Sequence, residues 1–172
     1  FVYECDEFHR NFLHFSPYLS VISGIAWDHH EVFPTQEDYD NAFKEFIAQT
    51  EQTIMWDEDA SRIGLTPNEK VAICSTSMPE IESVQLAGLY NRRNAWLVVE
   101  AVHTLFSVPK VDIAAIVSKF PGTQRRMEEL SEGLFTDYAH TPEKIEGCMS
   151  VARELAQLRN KNIVVVYEPL TN

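Results

Sequence analysis

The sequence predicts an α/β fold, a mostly parallel sheet flanked by helices, on two observations. Short apolar runs of strand length alternate with amphipathic helical stretches, and turn clusters separate them. Residues 1–3, Phe-Val-Tyr, form the first apolar run. Residues 19–25 form a second, bounded by Pro17 and by a charged loop. From 36 to 50, Tyr39, Phe43, Phe46 and Ile47 recur at helical spacing between polar residues. Thr35 stands where an N-cap belongs, and Glu37 and Asp38 suit the positive end of the helix dipole. Residues 53–56 and 71–74 read as further strands. A second strong helix covers 91–106, with Ala95, Val98, Val99, Val102 and Phe106 on one face. A third covers 111–118, with Pro109 near its start. Phe120-Pro121-Gly122-Thr123 is the clearest turn cluster, and a domain junction is placed near residue 120. Beyond it come a strand reaching Asp137, a helix over 142–159 and an apolar strand over 163–167. Pro142 fits the first turn of that helix, where a missing N–H is no loss.

Composition narrows the function classes. Lys and Arg total 14 against 26 Asp and Glu, a net charge of −12. Such a surface repels phosphate backbones, so nucleic acid is an unsuitable partner. A single nucleotide is still acceptable, because a metal ion and one Arg reverse the local sign. Cys5, Cys74 and Cys148 are widely spaced and form no zinc pattern, which predicts reduced core thiols and a cytoplasmic setting. No apolar run approaches the roughly 20 residues that cross a bilayer, so membrane insertion is not expected. The opening Phe1-Val2-Tyr3 and the closing Glu168-Pro169-Leu170-Thr171-Asn172 both resemble interrupted structure. The expectation is a piece of a larger protein.

Two acidic groups carry the first candidate chemistry. Glu4, Asp6 and Glu7 follow one apolar run; Asp28, His29, His30 and Glu31 follow another. At adjacent carboxyl ends of a parallel sheet they would meet where α/β ligand sites form. Carboxylate and imidazole suit Mg²⁺ or Mn²⁺. Adjacent His29 and His30 cannot both face the same way from an extended loop. The alternative is a set of charged loop residues facing water.

Five segments carry a family resemblance. Phe1-Val2-Tyr3-Glu4-Cys5-Asp6-Glu7 with Asn11-Phe12-Leu13 is similar to the E-A-D-E-S-D-x-x-F-L segment of the Mur ligases. Ser23-Gly24-Ile25-Ala26-Trp27-Asp28-His29 resembles their T-N-I-x-x-D-H, and Gly88-Leu89-Tyr90-Asn91-Arg92-Arg93-Asn94-Ala95 resembles G-x-H-N-x-x-N-A. Pro121-Gly122-Thr123-Gln124-Arg125-Arg126-Met127 and Asp137-Tyr138-Ala139-His140-Thr141-Pro142 resemble the two motifs that open the family's C-terminal domain. All five occur in family order. The nearest variants are the members that load L-alanine, or a recycled tripeptide, onto UDP-N-acetylmuramate.

The resemblance implies a partial central ATPase domain of the P-loop type over 1–119 and the first half of a Rossmann-like C-terminal domain over 120–172. It implies ATP and Mg²⁺ as cofactors, and UDP-N-acetylmuramate with an amino acid or peptide as partners. Glu4 and His29 match metal ligands. Asn94 matches an adenine contact, and Tyr90 stands where the family has an adenine-contacting His. Arg126 matches an Arg that reaches the γ-phosphate, a bidentate role that Lys would fill poorly. Asp137 and Tyr138 match residues lining the nucleotide. Arg126 and His29 are the residues expected to serve the reaction, in which ATP activates a carboxylate and an amine displaces phosphate. Catalysis would then consist of charge neutralisation and alignment.

Departures from the pattern bear on substrate and activity. Gly24 replaces the usual Asn, Tyr90 replaces His, and Thr141 replaces the second His of D-Y-A-H-H-P. The stretch from Trp56 to Gly88 is shorter than in typical members. These 172 residues contain no G-x-x-G-K-[ST] loop, so the chain alone is expected to be inactive. The other readings are a polyglutamate-adding branch of the superfamily, a non-catalytic acidic module keeping the ligase scaffold, and a carboxylate/His metallohydrolase.

Overall fold

A computed structural model describes residues 1–140 and 142–168. The Thr141 departure and the closing residues 169–172 lie outside the described part. The chain divides into two compact units, Phe1–Met78 with Glu100–Ser107, and Pro79–Val99 with Val108–Asn172.

The first unit is built on a three-stranded parallel sheet in the order β1 (Leu19–Val21), β2 (Gln52–Trp56), β3 (Val71–Cys74). Helix α1 (Gln36–Ala48) connects β1 to β2, and the short α2 (Asp57–Arg62) connects β2 to β3. Parallel neighbours need such crossovers, and burial on both faces explains the continuous apolar runs. Strand β2 is central; Thr53 to Trp56 are all buried. Its one polar inward group, Thr53, is satisfied by the Ser20 hydroxyl at 2.9 Å.

Helix α1 forms as its sequence predicts. Thr35 has an extended backbone and its hydroxyl accepts from the Asp38 N–H at 3.1 Å. Tyr39, Ala42, Phe43 and Ile47 turn inward and pack with Phe12 and Phe33. Thr35→Ala should cost about 1 kcal/mol of stability by urea unfolding. A loss near zero would mean that packing alone starts the helix.

Strand β1 ends sooner than the apolar run over 19–25 predicts. Ile22 still donates to the Ile54 carbonyl, and Ile25 is fully buried, but Ile25 finds its partners on α2 instead of the sheet. Its N–H donates to Asp59 Oδ1 at 2.9 Å, and its carbonyl accepts from the Arg62 guanidinium. Side chains thus satisfy a peptide that a longer strand would have paired.

Burial pushes the Asp59 carboxyl above its usual range, against the opposing Ile25 N–H and Arg62 charge. The folded state therefore holds this proton more tightly than the unfolded chain does. Its contribution to stability is full below the unfolded pKa and declines as pH rises through the raised folded value. Asp59→Asn keeps an oxygen for Ile25 without the charge. It should gain stability relative to the parent as pH rises toward neutrality, measured by urea unfolding; a pH-independent difference would refute the buried-charge account.

The second unit carries the N-terminal part of helix α3 (Leu89–Phe106), helix α4 (Lys110–Val117), a hairpin of β4 (Glu128–Ser131) and β5 (Leu134–Thr136), and helix α5 (Pro142–Leu158). Trp96, Leu97 and Val99 of α3 are buried, as are Ile113 and Ala114 of α4. The single strand expected before Asp137 is instead this antiparallel hairpin, turning at Gly133 with φ +76°. Arg159 bonds Glu129 of β4, with Nη2 to Oε2 at 2.8 Å, and its guanidinium lies over the Phe135 ring.

Two predicted strands are absent among the described residues. Residues 1–3 and 163–167 join no sheet, and Val2, Val164 and Val166 are 98%, 89% and 95% exposed. β-branched and aromatic residues favour extended chain, but a strand also needs a neighbour to accept its hydrogen bonds, and none lies alongside. None of the three cysteines is in a disulfide, but only Cys74 is buried; Cys5 and Cys148 are half-buried, so a core position holds for one.

Candidate functional site

The acidic loop of the first unit gathers around Glu7 and His29. Phe12 and Tyr39 anchor the two ends of this region in the core. The Tyr39 hydroxyl donates to Glu7 Oε1 at 3.0 Å, and burial together with the Glu7 charge raises the phenol's pKa. His29 Nε2 lies 3.9 Å from the same oxygen, and Nδ1 lies 3.5 Å from Glu31 Oε1. His29 itself has φ +54°, an uncommon left-handed conformation for a non-glycine residue. Its N–H donates to Asp28 Oδ1 at 2.8 Å, while its carbonyl accepts from Val32 and Phe33. His30 faces elsewhere, edge-on to Trp27 with ring centroids 4.4 Å apart. The two histidines diverge, as their adjacency requires.

Glu4 has a different setting. It lies in a shallow depression with Tyr3, Cys5, Asp6 and Asn11, where none of the His29 partners is found. Among the described residues, no three His, Cys, Asp or Glu side chains converge to hold a metal ion. Glu4, expected to share a metal with His29, forms no hydrogen bond or ion pair with it; the carboxylates beside His29 are Glu7 and Glu31. Residues 1–3 supply no strand to place Glu4 beside the end of β1.

The second unit carries an open cavity of about 730 Å³. Asn91, Asn94 and Val98 of α3 form one side, Ile116 and Val117 of α4 a second, and Val151 and Leu155 of α5 a third. The segment Phe120–Thr123 and the pair Arg126 and Met127 line the rest of it. An apolar box with a few convergent polar groups is the usual form of a small-molecule site. Asn94 and Arg126, far apart in sequence, both line it, and Lys119 adds a second cation. Those groups suit an anionic ligand with a flat apolar part, so a nucleotide fits the donor set.

The backbone beside Arg126 is strained. Arg125 and Met127 on either side have φ +58° and +46°, each costing about 1–3 kcal/mol that surrounding bonds must offset. Asp137 supplies such bonds. Its carboxylate accepts from Met127 N–H at 2.8 Å and from Ala139 N–H at 2.7 Å, and Tyr138 N–H bonds the Arg125 carbonyl at 3.0 Å. Glu128 accepts from the Arg125 N–H at 2.8 Å, and the Arg125 guanidinium lies 4.6 Å from the Tyr138 ring centroid. Asp137 and Tyr138 brace the Arg126 loop and do not line the cavity. Tyr90 does not line it either; this half-exposed ring lies against Gly147 of α5.

Asn91 and Arg92, both within the segment that resembles G-x-H-N-x-x-N-A, have structural partners here. The Asn91 amide donates to the Ala87 carbonyl at 2.7 Å, closing the turn before α3. Arg92 bonds Glu154, 62 positions away, and no local spacing could have shown that pair.

No family model matches the chain. In sequence it is 28% identical over 202 positions to the UDP-N-acetylmuramate–L-alanine ligase of Lactobacillus helveticus (strain DPC 4571), covering 99% of this chain and 45% of that protein. It is 23% identical over 223 positions to the protein of the same name from Roseiflexus castenholzii (strain DSM 13941 / HLO8), covering 99% and 46%. The chain thus spans a little under half the length of these curated relatives. Both alignments exceed its 172 residues, so the relatives carry stretches with no counterpart here. In structure it resembles the UDP-N-acetylmuramate–alanine ligase of Thermotoga maritima, with TM-score 0.65, 19% identity, and coverage of 84% of this chain and 40% of that one. That likeness supports the α/β architecture with its parallel sheet and flanking helices.

Proposed function

We infer that this chain, a relative of the Mur ligases along almost its whole length, is part of an enzyme that joins L-alanine or a peptide to UDP-N-acetylmuramate at the expense of ATP. The observation that carries the reading is the cavity in the second unit, which brings Asn94 and Arg126 to one space. Residues 1–119 would belong to the central ATP-binding domain and residues 120–172 to the C-terminal domain. The setting would be the bacterial cytoplasm and the pathway peptidoglycan precursor synthesis. No described helix is long and apolar enough to cross a membrane.

In this reading ATP transfers its terminal phosphoryl group to the substrate carboxylate, and the amine then displaces phosphate. Asn94 orients the base through its amide. Arg126 faces the phosphates with a planar fork of N–H donors, carried on a loop whose main chain is already braced. The apolar walls from α4 and α5 exclude water from the base. Mg²⁺ or Mn²⁺, expected from the resemblance, has no three-residue ligand set among the described residues, so no step is assigned to it. These 172 residues contain no phosphate loop of the G-x-x-G-K-[ST] type, and on this reading they catalyse no ligation by themselves.

The test supplies the full-length protein with ATP, UDP-N-acetylmuramate and hydroxylamine in place of the amino acid. An activated carboxylate is trapped as the hydroxamate, with ADP and phosphate released together. ADP release that does not depend on UDP-N-acetylmuramate would contradict the reading. Supplying L-alanine, a tripeptide or a diamino acid instead identifies the amine.

A further inference from the structure

Helices α3 and α5 both line the cavity, and one ion-paired cluster joins them through residues that do not line it. Arg92, whose side chain is only 15% exposed, places Nη1 3.0 Å from Glu154 Oε1 and 3.2 Å from Oε2. The same nitrogen is 3.0 Å from the Leu86 carbonyl, and Nε lies 3.3 Å from Glu82 Oε2. Glu154 Oε2 also accepts from the Gly88 N–H at 3.1 Å. A single carboxylate on α5 therefore holds both a side chain and a main-chain donor at the start of α3.

Packing fixes the same spot. Gly88 has φ +84°, and a Cβ there would collide with the Val151 side chain. Residue 88 must therefore be glycine for α5 to approach so closely. Val151 and Leu155, which flank Glu154 on α5, line the cavity, as do Asn91 and Asn94, which flank Arg92 on α3. The clamp and the lining alternate along both helices. Neither Arg92 nor Glu154 faces into the cavity themselves.

We propose that Arg92 and Glu154 are positioning residues: they set the spacing of α3 and α5, and so the width of the space in which Asn94 meets its ligand. The proposal rests on the reading of that cavity as the nucleotide site. A cavity wall held by a charged hydrogen bond to a main-chain donor is stiffer than one held by apolar contact alone. Loosening it should weaken the ligand's fit without removing any group that touches the ligand.

The experiment measures binding of a fluorescent ATP analogue to the full-length protein, well below the unfolding temperature. Glu154→Ala is expected to weaken binding about tenfold, and Arg92→Ala similarly. Glu154→Gln, which keeps an oxygen for Gly88, should fall between that variant and the parent, and it serves if Glu154→Ala does not fold. Arg92→Lys should restore part of the Arg92→Ala loss. Arg159→Ala, which breaks the exposed tie between β4 and the residue just after α5, should leave affinity unchanged. Unaltered affinity in Glu154→Ala, or an equal loss in Arg159→Ala, would overturn the proposal. Arg126→Ala separates the two ideas. If it too binds like the parent, the cavity is not the nucleotide site; if it alone weakens binding, the site stands and the clamp falls.

Discussion

Replacing Arg126 by Ala in the full-length protein should lower kcat/KM for ATP-dependent ligation by roughly a hundred- to a thousandfold. The side chain lines the 730 Å³ cavity with Asn94 and Lys119, and its loop is strained on both sides. Asp137 and Glu128 hold that strain through main-chain bonds that do not involve the Arg126 guanidinium. Truncating Arg126 therefore removes the phosphate-facing donors and leaves the loop standing. Arg126→Lys should recover little, because a point charge does not reproduce the two-pronged geometry. Steady-state kinetics with ATP as the varied substrate measures both. Parent-like kcat/KM in Arg126→Ala would remove this residue from the reaction.

The second large effect is on stability. Phe33→Ala should cost about 3–5 kcal/mol. Phe33 is 0% exposed, meets Tyr39 edge-on with centroids 5.0 Å apart, and carries the Arg10 guanidinium 5.2 Å from its ring centroid. Its main chain serves the neighbouring loop as well: the N–H donates to the His29 carbonyl, and the carbonyl accepts from Trp27 Nε1 at 3.0 Å. Losing the ring opens a void between α1 and the loop that holds His29. Urea unfolding of the variant measures the loss, and hydrogen exchange should rise most at residues 27–33. A cost near 1 kcal/mol would mean that the site collapses around the gap.

The sequence made some elements legible because local chemistry decides them. Thr35, two acidic residues and a helical apolar spacing define α1 without any distant partner, and the structure shows that cap. Strands β2 and β3 follow because their apolar runs end at charged or turn residues on both sides. Residues 163–167 show the limit. Their composition is as strand-like as that of β2, but a strand is a relation between neighbours, and apolar character alone supplies no partner. The β4–β5 hairpin was hidden for the opposite reason. Glu128, Glu129 and Ser131 are poor strand formers, and β4 is secured by pairing with β5 and by Arg159.

The candidate site divides in the same way. Motif order singled out Asn94 and Arg126, and the fold gives them one cavity. It could not reveal that Asp137 braces the Arg126 loop, since that depends on the left-handed backbone at Arg125 and Met127. The resemblance also matched Glu4 and His29 as metal ligands, whereas the carboxylates beside His29 in the structure are Glu7 and Glu31.

The most direct test is product formation by the full-length protein with ATP, Mg²⁺, UDP-N-acetylmuramate and L-alanine or a peptide. The account predicts an amide-linked product accompanied by one ADP and one phosphate, requiring all four components and lost in Arg126→Ala. ATP bound and hydrolysed with no amide product from any amine supplied, or no nucleotide binding at all, would contradict it.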